Sequence, residues 1–247
     1  MSGSGRRTRT AFLWVVSIVL LVVIVGAVWI NQVMQGERDV ALEVWRNDAI
    51  TVSDTGNAVV LEPADDGSGI GLVYVPGAKV DPYAYMYKLS AIVEDGYTVV
   101  ITKPTLNLAL ADLRPLDDFT GSVPGISRWV VGGHSLGGVK ACQYANENSV
   151  VGLALFGSYC ATDLSASGVP VLSFEAANDG LSTPQKIADA ASSLPESTVR
   201  VRLAGANHAD FGDYGVQPGD GESRADDADI RRQFAESFRA WVVSIEN

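Results

Sequence analysis

The reading turns on one stretch, Arg128-Trp129-Val130-Val131-Gly132-Gly133-His134-Ser135-Leu136-Gly137-Gly138. Residues 128–133 form a short apolar run and predict a buried strand, and residues 136–148 read as a helix. Gly133-x-Ser135-x-Gly137 spans the junction. Such a pattern arises by chance in about one chain of this size in ten, so its context carries the inference. A serine placed where an apolar strand turns sharply into a helix is a nucleophile elbow. Gly133 and Gly137 are expected to face each other across the turn, where side chains would clash. The turn lifts the Ser135 hydroxyl clear of the sheet. It also leaves the Leu136 N–H at a helix N-terminus, placed to stabilise an oxyanion. The alternative is a tight strand–helix connection without chemistry.

A serine hydroxyl needs a base. The chain has two histidines. His134 is next to the serine and badly placed to reach its neighbour's hydroxyl, so His208 in Gly205-Ala206-Asn207-His208 is the candidate. The orienting acid should fall between them, in the order serine, acid, histidine. Asp163, Glu175, Asp179, Asp189 and Glu196 qualify by position. Asp179, in Asn178-Asp179-Gly180, follows an apolar run at the edge where ligand sites lie in open α/β sheets, and Asp163 is the runner-up. Asn-Asp-Gly is also an ordinary turn signal.

Outward from the elbow, strands are predicted at 49–53, 58–62, 70–75, 97–102, 128–133, 150–156, 170–175 and 198–203. Helices are predicted at 82–95, 136–148, 183–194 and 226–244. The central strands are continuous apolar runs, as expected where both sheet faces are covered. This alternation means an α/β fold with a mostly parallel sheet and helices on both faces. Phosphate-loop and Rossmann glycine spacings are absent. Only residues 157–169 separate two strands at the usual place for a lid, too few for a helical cap, so the site should be open.

The N-terminus has a different composition. Residues 1–10 carry Arg6, Arg7 and Arg9, and residues 11–30 contain no charge. As a helix the uncharged run spans about 30 Å, the hydrocarbon thickness of a bilayer. Trp14 and Trp29 lie near its two ends, where indole rings favour the interface. A cleaved signal peptide has a shorter apolar core, and Val25-Gly26-Ala27 is a poor cleavage site inside the run. The expected organisation is a basic cytoplasmic tail at 1–10, a transmembrane anchor at 11–30, a stalk or short helix at 31–48 and a globular domain at 49–247. The arginine bias keeps the N-terminus cytoplasmic and puts residues 31–247 on the extracytoplasmic side.

The segments Tyr74 to Lys79, Gly133 to Gly138, Asn178-Asp179-Gly180 and Gly205 to Gly212 together resemble the α/β-hydrolases. The likeness covers about residues 58–245 and is nearest to the small, capless, dienelactone-hydrolase-like branch. It implies a Ser135–His208–Asp179 triad and a serine hydrolase working through an acyl-enzyme, most simply on a small carboxylic ester. Such enzymes take a second oxyanion donor from the loop after the third strand, usually behind a His-Gly pair. Here the pair is Pro76-Gly77, so the donor is Ala78 or Lys79. Dienelactone hydrolases use a cysteine nucleophile, so their named activity does not carry over to Ser135. An acyltransferase and a non-catalytic binding module are the competing readings.

The remaining features exclude more than they assign. The net charge is -11; without Arg6, Arg7 and Arg9 there remain 15 basic against 29 acidic residues, or -14. That argues against nucleic-acid partners. No cofactor is implied, and the two histidines leave little for a metal centre. The acidic stretch Asp220, Glu222, Asp226, Asp227 and Asp229 matches no calcium loop and reads as a solvated loop with a helix start. Lys79 is a candidate contact for an anionic substrate group. Tyr159 and Phe211 are candidates for the site walls, with simple packing as the alternative. Cys142 and Cys160 could pair outside the membrane, but nothing in the sequence fixes their distance.

Overall fold

The computed structural model describes residues 3–121 and 123–246. They form two units, residues 1–33 and 34–247. The first contains α1 (Gly3–Asn31). Its stretch Arg7–Trp29 is long and apolar enough to cross a bilayer and is not buried in protein, properties that membrane spans and signal sequences share.

The second unit begins with α2 (Arg38–Trp45) and the hairpin β1 (Ile50–Thr55) and β2 (Ala58–Pro63). Then follow β3 (Ile70–Val75), α3 (Met86–Glu94), β4 (Thr98–Thr102), α4 (Asp117–Thr120), β5 (Arg128–His134) and α5 (Leu136–Glu147). The chain ends with β6 (Gly152–Phe156), β7 (Val171–Ala176), α6 (Pro184–Asp189), β8 (Val199–Leu203) and α7 (Asp227–Glu246). The eight strands form one sheet in the order β1-β2-β4-β3-β5-β6-β7-β8. β1–β2 and β2–β4 are antiparallel, and all other pairs are parallel. The eight expected strands are therefore present, with shifts of one or two residues at their ends.

Alternation along the central strands divides the core into two layers. Leu72 and Tyr74 of β3 pack with Phe156, Phe174, Phe234, Phe238 and Trp241 on one side. Val73 and Val75 pack with Val131, Leu153, Leu155, Ala141 and Tyr144 on the other. α7 presents Ile230, Phe234, Phe238, Trp241 and Val242 along one stripe, and all five are buried. The Asp226 carboxylate accepts the N–H groups of Ala228 and Asp229 and caps this helix, which accounts for part of the acidic stretch. Lys88 of α3 is fully buried, with Nζ 2.6 Å from carboxylate oxygens of both Asp213 and Asp227.

Within residues 34–48, read from the sequence as part of a stalk or short helix, the chain forms α2. Val44 of α2 is buried in the core and Met34 and Ala41 pack against it, because α2 is amphipathic enough to cover α3. Between β4 and β5, where no helix was expected, the chain makes two single turns of 3-10 helix and α4, with Leu116 and Phe119 inserted into the core.

Cys142 of α5 and Cys160 in the loop after β6 are joined in a disulfide, with Cα atoms 5.6 Å apart. It closes a loop with a sequence separation of 18 residues. Chain-entropy arguments make such a crosslink worth about 3 kcal/mol. The double substitution Cys142→Ser and Cys160→Ser is expected to lower unfolding free energy by about 2–4 kcal/mol, read by denaturant titration. Dithiothreitol should then have no further effect on the variant.

Candidate active site

The elbow is built by the absence of side chains. A Cβ on Gly133 would lie 2.6 Å from the backbone of Gly137 and from the Val75 carbonyl oxygen. One on Gly137 would overlap that same Val75 oxygen, and one on Gly138 would overlap Ser158. With these positions bare, α5 starts directly against the ends of β3 and β5. Ser135 takes φ 52° and ψ -123°, outside the regions L-residues favour. Its neighbours hold it there. The Ser135 N–H donates to Phe156 O at 3.1 Å, and the Ser158 hydroxyl donates to Ser135 O at 2.6 Å. Leu136 follows as the first residue of α5, where a backbone N–H has no partner within the helix.

Four non-glycine residues among those described have positive φ: Lys79 (62°), Leu106 (59°), Asn107 (53°) and Ser135 (52°). Such strain costs on the order of 1–3 kcal/mol per residue and gathers at functional sites. Here Lys79 and Asn107 are directly joined, the Lys79 N–H donating to Asn107 O at 2.7 Å. That bond occupies one of the two expected second oxyanion donors. The Ala78 N–H is left without a hydrogen bond among the described residues.

His208 and Asp179 sit in the loops after β8 and β7. His208 is fully buried, and its Nδ1 lies 2.7 Å from Asp179 Oδ2. The other carboxylate oxygen of Asp179 accepts the N–H groups of Leu181 (2.8 Å) and Ser182 (2.7 Å). His208 Nε2 has no hydrogen-bond partner among the described residues. Asp163, the runner-up acid, is exposed and caps its own turn at Ser165.

Asp220 is the residue that sequence reasoning misplaced in a solvated loop. Its Oδ1 accepts from the N–H of Gly180 and of His208, both at 3.0 Å, and its Oδ2 accepts from the N–H of Ala209 at 2.8 Å. One carboxylate thus fastens the acid loop to the histidine loop. No local sequence signal marks this link, because the Gly180, His208 and Ala209 partners lie 11 to 40 residues away, beyond the local bond from the Gly221 N–H at 2.7 Å.

His134 has a supporting place. The Tyr85 hydroxyl accepts the Gly77 N–H at 2.9 Å and lies 3.0 Å from His134 Nδ1. The Tyr85 hydroxyl thus joins the loop after β3 to the His134 ring. Burial, then the nearby His208, hold the His134 pKa well below the usual histidine value. The two imidazole rings are 4.4 Å apart between centroids. Phe211, for which the sequence left a site wall and simple packing as alternatives, is a core residue at 1% exposure. Its ring packs on His134 at 5.3 Å and on Phe234 at 6.0 Å. Tyr159 is half-buried just past β6, and Lys79 is half-buried in the loop after β3. No group of three or more His, Cys, Asp or Glu residues suited to hold a metal occurs among the described residues.

The model of the alpha/beta hydrolase family matches residues 71–231. The chain belongs to that family. Among solved structures, the esterase domain of a Rhodothermus marinus protein superposes with a TM-score of 0.59 at 18% identity, covering 78% of this chain and 97% of that one. At that identity the likeness establishes the shared fold. No curated protein matches the chain in sequence.

Two outcomes follow from this geometry. Asp220→Ala strips a carboxylate from four backbone N–H groups, those of Gly180, His208, Ala209 and Gly221, and is expected to lower stability by about 1–3 kcal/mol, whereas Asp163→Ala should be neutral within about 0.5 kcal/mol. Thermal unfolding of the two variants checks this. For His134 the folded pKa is depressed, so the unfolded chain binds a proton that the folded protein refuses as pH falls below about 6.5. That contribution to stability is present above this pH and is lost below it. The His134 part of the unfolding free energy should therefore fall between pH 7 and pH 5, read as the difference between the wild-type and His134→Gln pH profiles. In His134→Gln the slope should shrink by up to about 1.4 kcal/mol per pH unit.

Proposed function

We propose that the protein is a serine hydrolase cleaving carboxylic esters, with Ser135 as nucleophile, His208 as base and Asp179 as orienting acid. The observation that carries this reading is the Asp179–His208 pair at 2.7 Å, on the same sheet edge as a strained serine at a helix start. Asp179 accepts the Nδ1 proton, so the neutral ring has its lone pair on Nε2, the nitrogen with no partner. That atom takes the Ser135 hydroxyl proton as Oγ bonds to the carbonyl carbon. The carbonyl oxygen becomes an oxyanion facing the N–H groups of Leu136 and Ala78. Collapse of the tetrahedral species breaks the bond to the alcohol oxygen, which leaves with the proton from Nε2. Water then repeats the sequence on the acyl-enzyme and releases the acid.

The protein acts, in this reading, as a membrane-anchored enzyme outside the cytoplasm. The apolar stretch Arg7–Trp29 supports the anchor. The arginines before it support the orientation. The Cys142–Cys160 disulfide supports an oxidising compartment. The short, helix-free connection between β6 and β7 supports an open site and an accessible small ester. The acidic surface works against polyanionic substrates.

The test is labelling of the full-length protein with a fluorophosphonate probe, followed by peptide mapping. The label should fall on Ser135, and Ser135→Ala should lower hydrolysis of a p-nitrophenyl ester by about 10⁴-fold or more. A variant with full activity overturns the assignment.

A further inference from the structure

The chain just ahead of α2 runs along the loop after β3, with no obvious need to. The Met34 N–H donates to Lys79 O at 2.7 Å, and Met34 O accepts the Asp81 N–H at 2.9 Å. Together these make a one-residue parallel β-bridge between Met34 and Val80. Three residues on, the Glu37 N–H donates to Asp213 O at 2.8 Å, and the Asp213 N–H donates to Ala84 O at 2.7 Å. Residues 34–37 therefore touch the loop that carries Ala78 at one end and the loop that carries His208 at the other. Gly36 lies so close to the entry of α3 that a Cβ there would come within 2.8 Å of Ala84 N and 3.1 Å of Ala84 Cα. Glycine is what lets the segment lie flat on this loop.

The contact falls where the loop is strained. Lys79 has φ 62° and is gripped on both sides, its N–H by Asn107 and its carbonyl by Met34. The next amide back, that of Ala78, is the free donor. Gly77, before it, is held by Tyr85. The Met34 bond to the Lys79 carbonyl is one of the few that hold this left-handed turn, and losing it loosens the segment that carries the Ala78 amide.

We propose that Met34–Glu37 is a positioning strap for the oxyanion loop: its pairing with Lys79 and Asp81 holds the Ala78 N–H in line with the developing negative charge. This rests on the ester-hydrolase reading above. The alternative is a contact that adds stability and nothing else, and the two differ in what they do to the transition state. An oxyanion donor acts on oxygen far more than on sulfur, which is a poor hydrogen-bond acceptor.

The experiment compares full-length Met34→Pro, which removes the N–H, with Met34→Ala, which keeps it, in detergent solution. Each is assayed on a p-nitrophenyl ester and on its thionoester. Met34→Pro is expected to lower kcat on the oxygen ester at least about tenfold with KM within about twofold, and to lower the thionoester rate much less. Met34→Ala should retain the wild-type ratio of the two rates. Deuterium uptake across residues 76–85 should rise in Met34→Pro relative to Met34→Ala. Equal losses on both esters, or equal kcat in the two variants, overturns the catalytic role. Unchanged uptake overturns the strap whether or not the protein hydrolyses esters. If Ser135→Ala keeps its activity, the hydrolase reading falls and the catalytic role with it, while the uptake comparison still decides whether the strap holds the loop.

Discussion

Everything at the site depends on how closely α5 approaches the end of β3. Three glycines in six residues let two backbones meet at a distance that a single methyl group would forbid. That contact sets the serine in a conformation it would not choose. It also aims the first turn of a helix, with its unpaired N–H groups, at the space above the sheet. The interaction is steric exclusion rather than attraction. Its stability comes from elsewhere, chiefly the two apolar layers that cover the sheet.

Around that contact the site is assembled from separately fastened pieces. The elbow is tied to the neighbouring loop through Ser158 and, a turn later, through the disulfide. The acid and histidine loops are tied to each other by Asp220. The loop after β3 is tied to the elbow through Tyr85 and His134. Each tie crosses between segments far apart in the chain. Apart from the disulfide, each uses a hydrogen bond from a buried or half-buried polar group.

Much of this was legible in the sequence, for identifiable reasons. Apolar runs such as 70–75 and 150–156 announce buried strands because both faces of a parallel sheet are covered. The elbow and the Asn178-Asp179-Gly180 turn were readable because their constraints are local. The loops gave less. Asp220 looks like any solvated acid until the fold brings Gly180 and His208 to it. Phe211 sits near His208 in sequence, yet its side chain turns into the core to fill the space against Phe234. The pairing of Cys142 with Cys160 required a distance that only the packing of α5 on β6 supplies. Residues 34–37 have no motif at all, since their contacts are made by backbone.

The joining of Glu37 to Asp213 also has a consequence for timing. These residues lie near opposite ends of the second unit, so the contact is among the least local in the chain. A ribosome adding about 5–20 residues per second needs roughly ten seconds or more to pass from one to the other. Through that interval the first-made segment has nothing to close upon. The strands between them can pair and bury their apolar faces, but the arrangement around Ser135 is completed only when the last loop emerges. Assembly of the site thus waits on the loops that carry His208, Asp213 and Asp220, and a chain cut short before them has a sheet whose edge is incomplete.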